Sequence, residues 1–221
     1  MQSPWTLFRE PVNSYTHWFG VIKAVVFSSV LLNLAYRSGL NLTAFFVFGI
    51  SMVLLYLASA SYHSFRVSEK TLQWLRKIDH SAIFLMIAGT YTPVVAFGTH
   101  GRLQISMLVA VWMMAFSGIA LKLWTLKVQR WISTSLYLAM GWIALILVPQ
   151  LLQQAHLGVL VWLIVGGVVY TLGGIVYGTK RFNPFPGVLG FHEVWHLFVL
   201  GGSTAHCIMM FYLIPLPVLG V

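Results

Sequence analysis

Acidic residues are scarce in this chain, whose four carboxylate side chains among 221 residues are Glu10, Glu69, Asp79 and Glu193. Charged residues of all kinds make up 8% of the sequence, whereas about 25% is usual for a soluble domain. The single cysteine, Cys207, excludes an intrachain disulfide. These shortages exclude an ordinary soluble domain and a disulfide-stabilised scaffold.

Hydrophobic residues are abundant instead, at 59% of the chain, and they fall into repeated apolar runs. About 20 such residues let a helix cross a bilayer, so the sequence predicts an all-α membrane protein, a seven-transmembrane helix bundle. We expect a short amphipathic N-terminal segment at 1–18, then a transmembrane domain at 19–221 whose first span is the targeting element. The predicted spans are 19–36, 41–62, 80–98, 103–121, 132–152, 157–178 and 190–214.

The net charge of +9 follows the loops between the predicted spans and forms no continuous basic stripe. We therefore expect no nucleic-acid partner and a protein integral to the membrane. Lysine and arginine are enriched on the cytoplasmic side of membrane proteins, which predicts a cytoplasmic N-terminus and an outside C-terminus. One side receives Arg9, Lys23, Arg66, Lys70, Arg76, Lys77, Lys122, Lys127, Arg130, Lys180 and Arg181, and the other receives Arg37 and Arg102.

Two histidines, His192 and His196, stand four residues apart inside an apolar run that extends from 188 to 214. On a helix, residues at i and i+4 share a face, so both rings can reach one point. Ionisable groups in a lipid-embedded helix usually face the protein interior for a functional reason. The alternative is a pair of partly hydrated histidines at the membrane interface.

Other polar residues fall at the same predicted depth as this pair. His63 ends the second span, Asp79 opens the third, and Ser59 lies one turn deeper than His63 on the same face. Imidazole is a good zinc ligand, and three protein ligands with one open position are typical of catalytic zinc. Depth alone leaves open whether the faces of the three helices point together.

The remaining histidines have other predicted roles. His17 is expected to be structural or gating rather than a ligand. His206 shares the face of His196 but lies nearly three turns deeper, so it can line a cavity without reaching the same ion. His100 and His156 fall in outer loops, where we expect them to be solvated.

Residues 192–196 also match the H-E-x-x-H pattern, in which two histidines bind zinc and the glutamate is the general base of a metalloprotease. An intramembrane protease is therefore an alternative, with Glu193 as its base. Against it, the pattern sits in the last span, and no acidic residue follows that could supply a third ligand.

The combination of Ser59-x-x-x-His63, Asp79 and His192-x-x-x-His196 over the second, third and seventh spans resembles the hemolysin III family. That family is the bacterial branch of a superfamily that includes the progestin and adipoQ receptors and the alkaline ceramidases. The likeness runs the length of the chain. It includes Glu10-x-x-Asn13-x-x-x-His17 and residues 77–83, 88–93, 138–142, 166–170 and 198–203.

The resemblance implies a Zn²⁺ ion held by His63, His192 and His196, with Asp79 holding a metal-bound water and Ser59 beside it. It also implies a fold like that of the receptors, with the N-terminus inside. From this arrangement we expect Asp79 to act as a general base. Ser59 is expected to orient the water or to polarise the carbonyl that is cleaved.

Two classes of function follow from the resemblance. The ceramidases of the superfamily hydrolyse a lipid amide, which implies a zinc-dependent hydrolase acting on a membrane lipid or other fatty-acyl substrate. The hemolysin III branch is associated with cell lysis and with membrane lipid homeostasis, which implies a non-enzymatic sensor or receptor, or a pore-forming cytolytic protein with structural zinc. Glu193 is outside the pattern of the family, which weighs further against the protease.

Overall fold

The computed structural model describes residues 7–215, apart from the side chain of Gln154. These residues are almost entirely helical, because a chain in lipid must satisfy its backbone hydrogen bonds within each segment. The helices are α1 (Pro11–Arg37), α2 (Thr43–Ser64), α3 (Glu69–Gly98), α4 (Gly101–Trp124), α5 (Arg130–Trp142), α6 (Val148–Gln154), α7 (Leu157–Thr179) and α8 (Phe191–Phe211), with a 3-10 segment at Ile143–Leu147.

Seven helical stretches of the described chain are long and apolar enough to cross a membrane. The fifth, Arg130–Gln153, combines α5, the 3-10 segment and most of α6. The predicted all-α, seven-span membrane protein is therefore confirmed. The orientation of the spans across the bilayer stays a prediction.

Two helices begin earlier than the hydropathy pattern predicts. Helix α1 begins at Pro11 rather than at residue 19, and α3 begins at Glu69 rather than at residue 80. Ser68 caps α3 by accepting a hydrogen bond from the Thr71 N–H at 3.3 Å. These polar first turns extend beyond the apolar windows, so hydropathy does not detect them. The helical part of the predicted 1–18 segment is thus continuous with the first span.

The fifth span is interrupted near its middle. Pro149 has no N–H to offer the carbonyl of Leu145, so a regular α-helix cannot continue through this turn. The chain forms the 3-10 segment just before this proline and then resumes as α6. Leu145, Leu147 and Val148 from the interruption border an internal cavity.

The packing order of the helices places three of them at the centre. Helix α1 contacts α2 and α8, α3 contacts α2, α4 and α5, and α7 contacts α5 and α8. Between 50% and 67% of the apolar window is buried in α2, α3 and α8, against 22–28% in the other spans. The three central helices are those that carry the predicted site residues.

Lys23 lies within α1 and not in a cytoplasmic loop, so its assignment to the loop charges is wrong. Its ammonium group donates hydrogen bonds to Ser203 Oγ at 2.6 Å, Thr204 Oγ1 at 3.1 Å and the Leu200 carbonyl at 3.2 Å. A lysine inside a span needs such acceptors, because lipid supplies none. Lys23 therefore ties α1 to α8.

Candidate metal centre and its cavity

Three histidines from two helices meet near one end of the bundle. His63 lies in the last turn of α2, and His192 and His196 lie one turn apart at the start of α8. One ring nitrogen from each histidine lies within 4.8 Å of the other two, with His63 and His196 buried and His192 half-buried. The structure thus brings together the three predicted ligands, and this cluster can hold a metal ion.

The spacing of these nitrogens suits a tetrahedral ion. His63 Nε2 and His192 Nε2 are 3.4 Å apart. Two nitrogens that each lie 2.0–2.1 Å from a tetrahedral ion are separated by about 3.3 Å. Three imidazoles are also a donor set used by divalent transition metals such as zinc. Donor type and spacing therefore both fit a metal centre.

Glu10 supports this centre from the side of α1. Its Oε2 accepts a hydrogen bond from His63 Nδ1 at 2.6 Å, and Arg9 forms an ion pair with its other oxygen at 2.6 Å. Burial alone would raise the pKa of Glu10, but the hydrogen bond and charge of His63, the charge of Arg9 and the hydrogen bond from Asn13 together lower this pKa to about 2. The ionised carboxylate fixes the His63 tautomer that leaves Nε2 free for a metal.

Glu193 lies on the same side, away from the cluster of ligand nitrogens. Asn13 Nδ2 donates to Glu193 Oε1 at 2.9 Å and to Glu10 Oε2 at 3.1 Å, and the Gly190 N–H donates to Glu193 Oε2 at 2.8 Å. Glu193 thereby caps α8 and links it to α1. Because both its oxygens are engaged and it does not border the cavity, this geometry disfavours the metalloprotease alternative.

Asp79 and Ser59 approach the histidines from the opposite side. The Ser59 hydroxyl forms a hydrogen bond with the Asp79 carboxylate, and this carboxylate also interacts electrostatically with His63. Both residues border the cavity together with His192 and His196. Asp79 does not contribute to the cluster of three closely spaced ligand atoms. The catalytic roles of both residues remain predictions.

His17 is a fourth imidazole beside the cluster but does not join it. Its ring stacks on that of His196 with centroids 3.7 Å apart, and it meets the Tyr56 ring edge-on at 5.2 Å. Neither ring nitrogen of His17 has a hydrogen-bond partner among the described residues. The stacking fixes the position of the His196 ring, which agrees with a structural role.

A cavity of about 310 Å³ opens from the histidines into the bundle between α3, α5, α7 and α8. Its wall is largely apolar, and it extends from Asp79 and His192 to the 3-10 segment at the far end. His206 borders it without joining the metal cluster, as predicted. An apolar cavity that starts at a metal centre can hold a hydrocarbon chain with its polar end at the metal.

Sequence reasoning missed two sets of residues at this site. One is the Glu10–Asn13–Glu193 bridge, for which the signal was the polar spacing of Glu10-x-x-Asn13 ahead of the first span. The other is a group of basic residues that border the cavity and were read only as orientation signals: Arg76, Lys122, Arg130 and Lys180. Hydropathy gave no sign that these charges face inward.

The fold and site together define a multi-pass membrane protein with a cluster of three histidines, able to hold a metal ion, at one end of a seven-helix bundle. Comparison with known proteins narrows this class. Residues 5–207 match the family described as Haemolysin-III related. The chain belongs to this family, which confirms the resemblance found in the sequence.

Individual relatives match along nearly the whole chain. It is 40% identical to the "Hemolysin-3 homolog" of Bacillus subtilis (strain 168), covering 97% of this chain and 99% of that protein. It is 35% identical to "Hemolysin-3" of Bacillus cereus, over 94% and 93% of the two chains. The human "Monocyte to macrophage differentiation factor" is 27% identical, over 91% of this chain and 82% of its own.

Proposed function

We propose that this protein is a zinc-dependent membrane hydrolase that cleaves an amide or ester bond in a lipid. The observation that carries the proposal is the cluster of His63, His192 and His196 beside an apolar cavity, which His192, His196 and the Asp79–Ser59 pair border. The proposed location is the bacterial cytoplasmic membrane, and the proposed cellular role is in lipid homeostasis.

Each residue has a distinct part in the proposed reaction. Zinc held by the three histidines would activate a water molecule and polarise a carbonyl group. Asp79 accepts the proton of the water whose oxygen attacks the acyl carbon, and then passes it to the amine or alcohol that leaves as the C–N or C–O bond breaks. Ser59 holds the Asp79 carboxylate in position, and Glu10 holds His63.

The cavity supports a lipid rather than a peptide as the substrate. A peptide backbone carries an N–H and a C=O at every residue, and each would need a partner in the apolar wall. An acyl chain needs none and gains from contact with apolar side chains such as Leu55, Met86 and Val199. The lipid carbonyl would then lie beside the histidines.

A second candidate function comes from the printed name of the Bacillus cereus relative, "Hemolysin-3". It is a cytolytic or sensor protein in which the metal fastens α2 to α8 and no bond is cleaved. In that case Asp79 has no chemical role.

The experiment that separates the two functions compares Asp79→Asn with the native protein. Asparagine keeps the size and hydrogen bonding of the side chain but cannot take up a proton, and general-base catalysis contributes about 10²–10⁴-fold to rate. We expect Asp79→Asn to retain its zinc and to lose fatty-acid release by about that factor. Metal content and fatty-acid release from a panel of N-acyl and O-acyl membrane lipids are measured by mass spectrometry on protein purified in detergent.

Glu69→Gln is the matched control, because it makes the same chemical change at the start of α3, outside the cavity. It should release fatty acid as the native protein does. If zinc-loaded native protein releases no fatty acid from any lipid, or if Asp79→Asn is as fast as native, the hydrolase proposal fails.

A further inference from the structure

Four basic side chains border the mouth of the cavity, and each comes from a different part of the chain. They are Arg76 in α3, Lys122 near the end of α4, Arg130 at the start of α5 and Lys180 directly after α7. These positions lie at the end of the bundle that carries the histidine cluster, since α2 ends there and α8 begins there.

The positive charge at this mouth is only partly compensated by the described residues. No carboxylate among residues 7–215 forms an ion pair with any of the four cations. Asp79 is the one carboxylate of residues 7–215 that borders the cavity, and its charge interacts with Arg76 but with none of the other three cations. The mouth is therefore a cluster of like charges.

Membrane orientation does not explain why the Lys122 side chain and the Nη1 atom of Arg130 are buried, because a retention signal works from an exposed loop. Lys122 is only 2% exposed, and its ammonium group donates to Ser133 Oγ at 2.5 Å. Arg130 lies over the rings of Tyr177 and Phe191, at 4.7 and 4.9 Å from their centroids.

The guanidinium of Arg130 has one hydrogen-bond donor nitrogen that no described residue accepts from. Its Nη1 is buried and has no acceptor among the described residues. Burying a charged donor is costly unless an acceptor of opposite charge compensates it. The enclosure of Lys122 and the unmatched donor of Arg130 thus both point to an anionic ligand between them.

We propose that the mouth binds the phosphate of an anionic membrane lipid whose acyl chain occupies the cavity. Phosphate offers several strong acceptor oxygens, and the planar guanidinium of arginine binds such groups through two parallel hydrogen bonds. The cations stand at one end of the bundle, where headgroups lie, while the cavity leads into its apolar interior. The choline cation of a zwitterionic lipid would be repelled by the same four side chains.

This inference rests on the proposed function, because it assigns the headgroup of the lipid proposed there. Binding can nevertheless be measured without metal or turnover. The probes are dioleoyl phosphatidylglycerol, dioleoyl phosphatidylcholine and inorganic phosphate, offered to the full chain in uncharged detergent. Affinities are measured by native mass spectrometry on metal-loaded and on chelator-treated protein.

The variant Arg130→Gln/Lys180→Gln removes two cations from the mouth. The matched control Lys127→Gln/Arg181→Gln removes the same charge from exposed neighbours in the same two connections, and neither of its residues borders the cavity. A charge-assisted hydrogen bond is worth about tenfold or more in affinity. We expect native protein to prefer phosphatidylglycerol about tenfold or more, and the mouth variant alone to lose this preference.

Equal affinity for the two lipids, or equal loss in the mouth variant and its control, would overturn the proposal. If inorganic phosphate displaces phosphatidylglycerol, the ligand is free phosphate and the lipid assignment is wrong. If the double variant does not fold, as judged by its size-exclusion profile, Arg76→Gln replaces it, since Arg76 is exposed at the helix surface. Retained lipid preference without fatty-acid release would contradict the proposed hydrolase and leave this inference standing.

Discussion

Glu10 and Asp79 are both carboxylates beside the same three histidines, but their surroundings differ. Glu10 is in contact with His63 at 2.6 Å and with Asn13 at 3.1 Å, and it also forms an ion pair with Arg9. Asp79 has a hydrogen bond with Ser59 and borders the cavity. One carboxylate is held by protein partners, whereas the other is held on one side and open on the other.

This difference assigns different roles to the two carboxylates: Glu10 positions a histidine ligand, and Asp79 is placed to take part in a reaction. A carboxylate that already accepts hydrogen bonds from fixed partners orients those partners and has little capacity for a proton from elsewhere. A carboxylate that faces a cavity can meet a substrate or a water molecule. The side of α1 therefore fixes the histidine cluster, and the side of α3 faces the cavity.

Removing one of the three histidine ligands should disrupt the site on both its α1 side and its α3 side. His192→Ala takes away one of three imidazoles, and we expect bound zinc to fall to background, because two histidines do not complete a zinc site. Metal per folded chain is measured by mass spectrometry after purification. His156→Ala is the control, since His156 caps α7 at the other end of the bundle by accepting from the Gly158 N–H at 3.0 Å. Equal zinc in the two variants would contradict the ligand assignment.

Changing Glu10 should weaken the metal centre without abolishing it. Glu10→Gln keeps the shape of the side chain but removes the negative charge from His63 Nδ1, and loss of such a partner typically costs about 10–100-fold in metal affinity. Competition with a chelator of known affinity measures the change.

The pH for this comparison follows from the lowered pKa of Glu10. An acid whose pKa is lowered in the folded state contributes stability above its ordinary value, 4.5, and loses it as the pH falls toward about 2. At pH 7 native Glu10 is fully ionised, so the variant isolates its charge. Unchanged metal affinity would show that Glu10 does not support His63.

Changing Glu193 should have the smallest effect. Glu193→Gln retains an oxygen for Asn13 or the Gly190 N–H but weakens this cap of α8, which is worth about 0.5–1.5 kcal/mol. We expect a small decrease in the temperature of unfolding, measured by calorimetry, and nearly native fatty-acid release. A folded, zinc-loaded variant without any cleavage activity would instead restore Glu193 as a catalytic base.

The sequence predicted the number of spans and the common depth of the ligands because both depend on local patterns. Apolar run length and the four-residue spacing of His192 and His196 are properties of single helices. Asp79 is likewise predicted at the correct end of α3, although that helix begins well before this residue. The same reasoning does not predict helix ends that consist of polar residues.

Contacts between distant helices could not be predicted in this way. Whether Glu10 meets His63, and whether Lys23 meets Ser203, depends on how each helix is rotated about its axis, which tertiary packing decides. For this reason the sequence does not predict the hydrogen bond of Lys23 to Ser203 or that of Glu10 to His63. The inward-facing cations at the cavity mouth were hidden for the same reason.

The distance along the chain between the ligands bears on how the protein is made. His192 follows His63 by 129 residues in the sequence, and Glu193 follows Asn13 by 180 residues. Synthesis proceeds from the N-terminus, so α1 and α2 are in the bilayer long before α8 leaves the ribosome. The three-histidine cluster can therefore form only late in biogenesis, and a metal ion held by all three rings would join the final helix to α2.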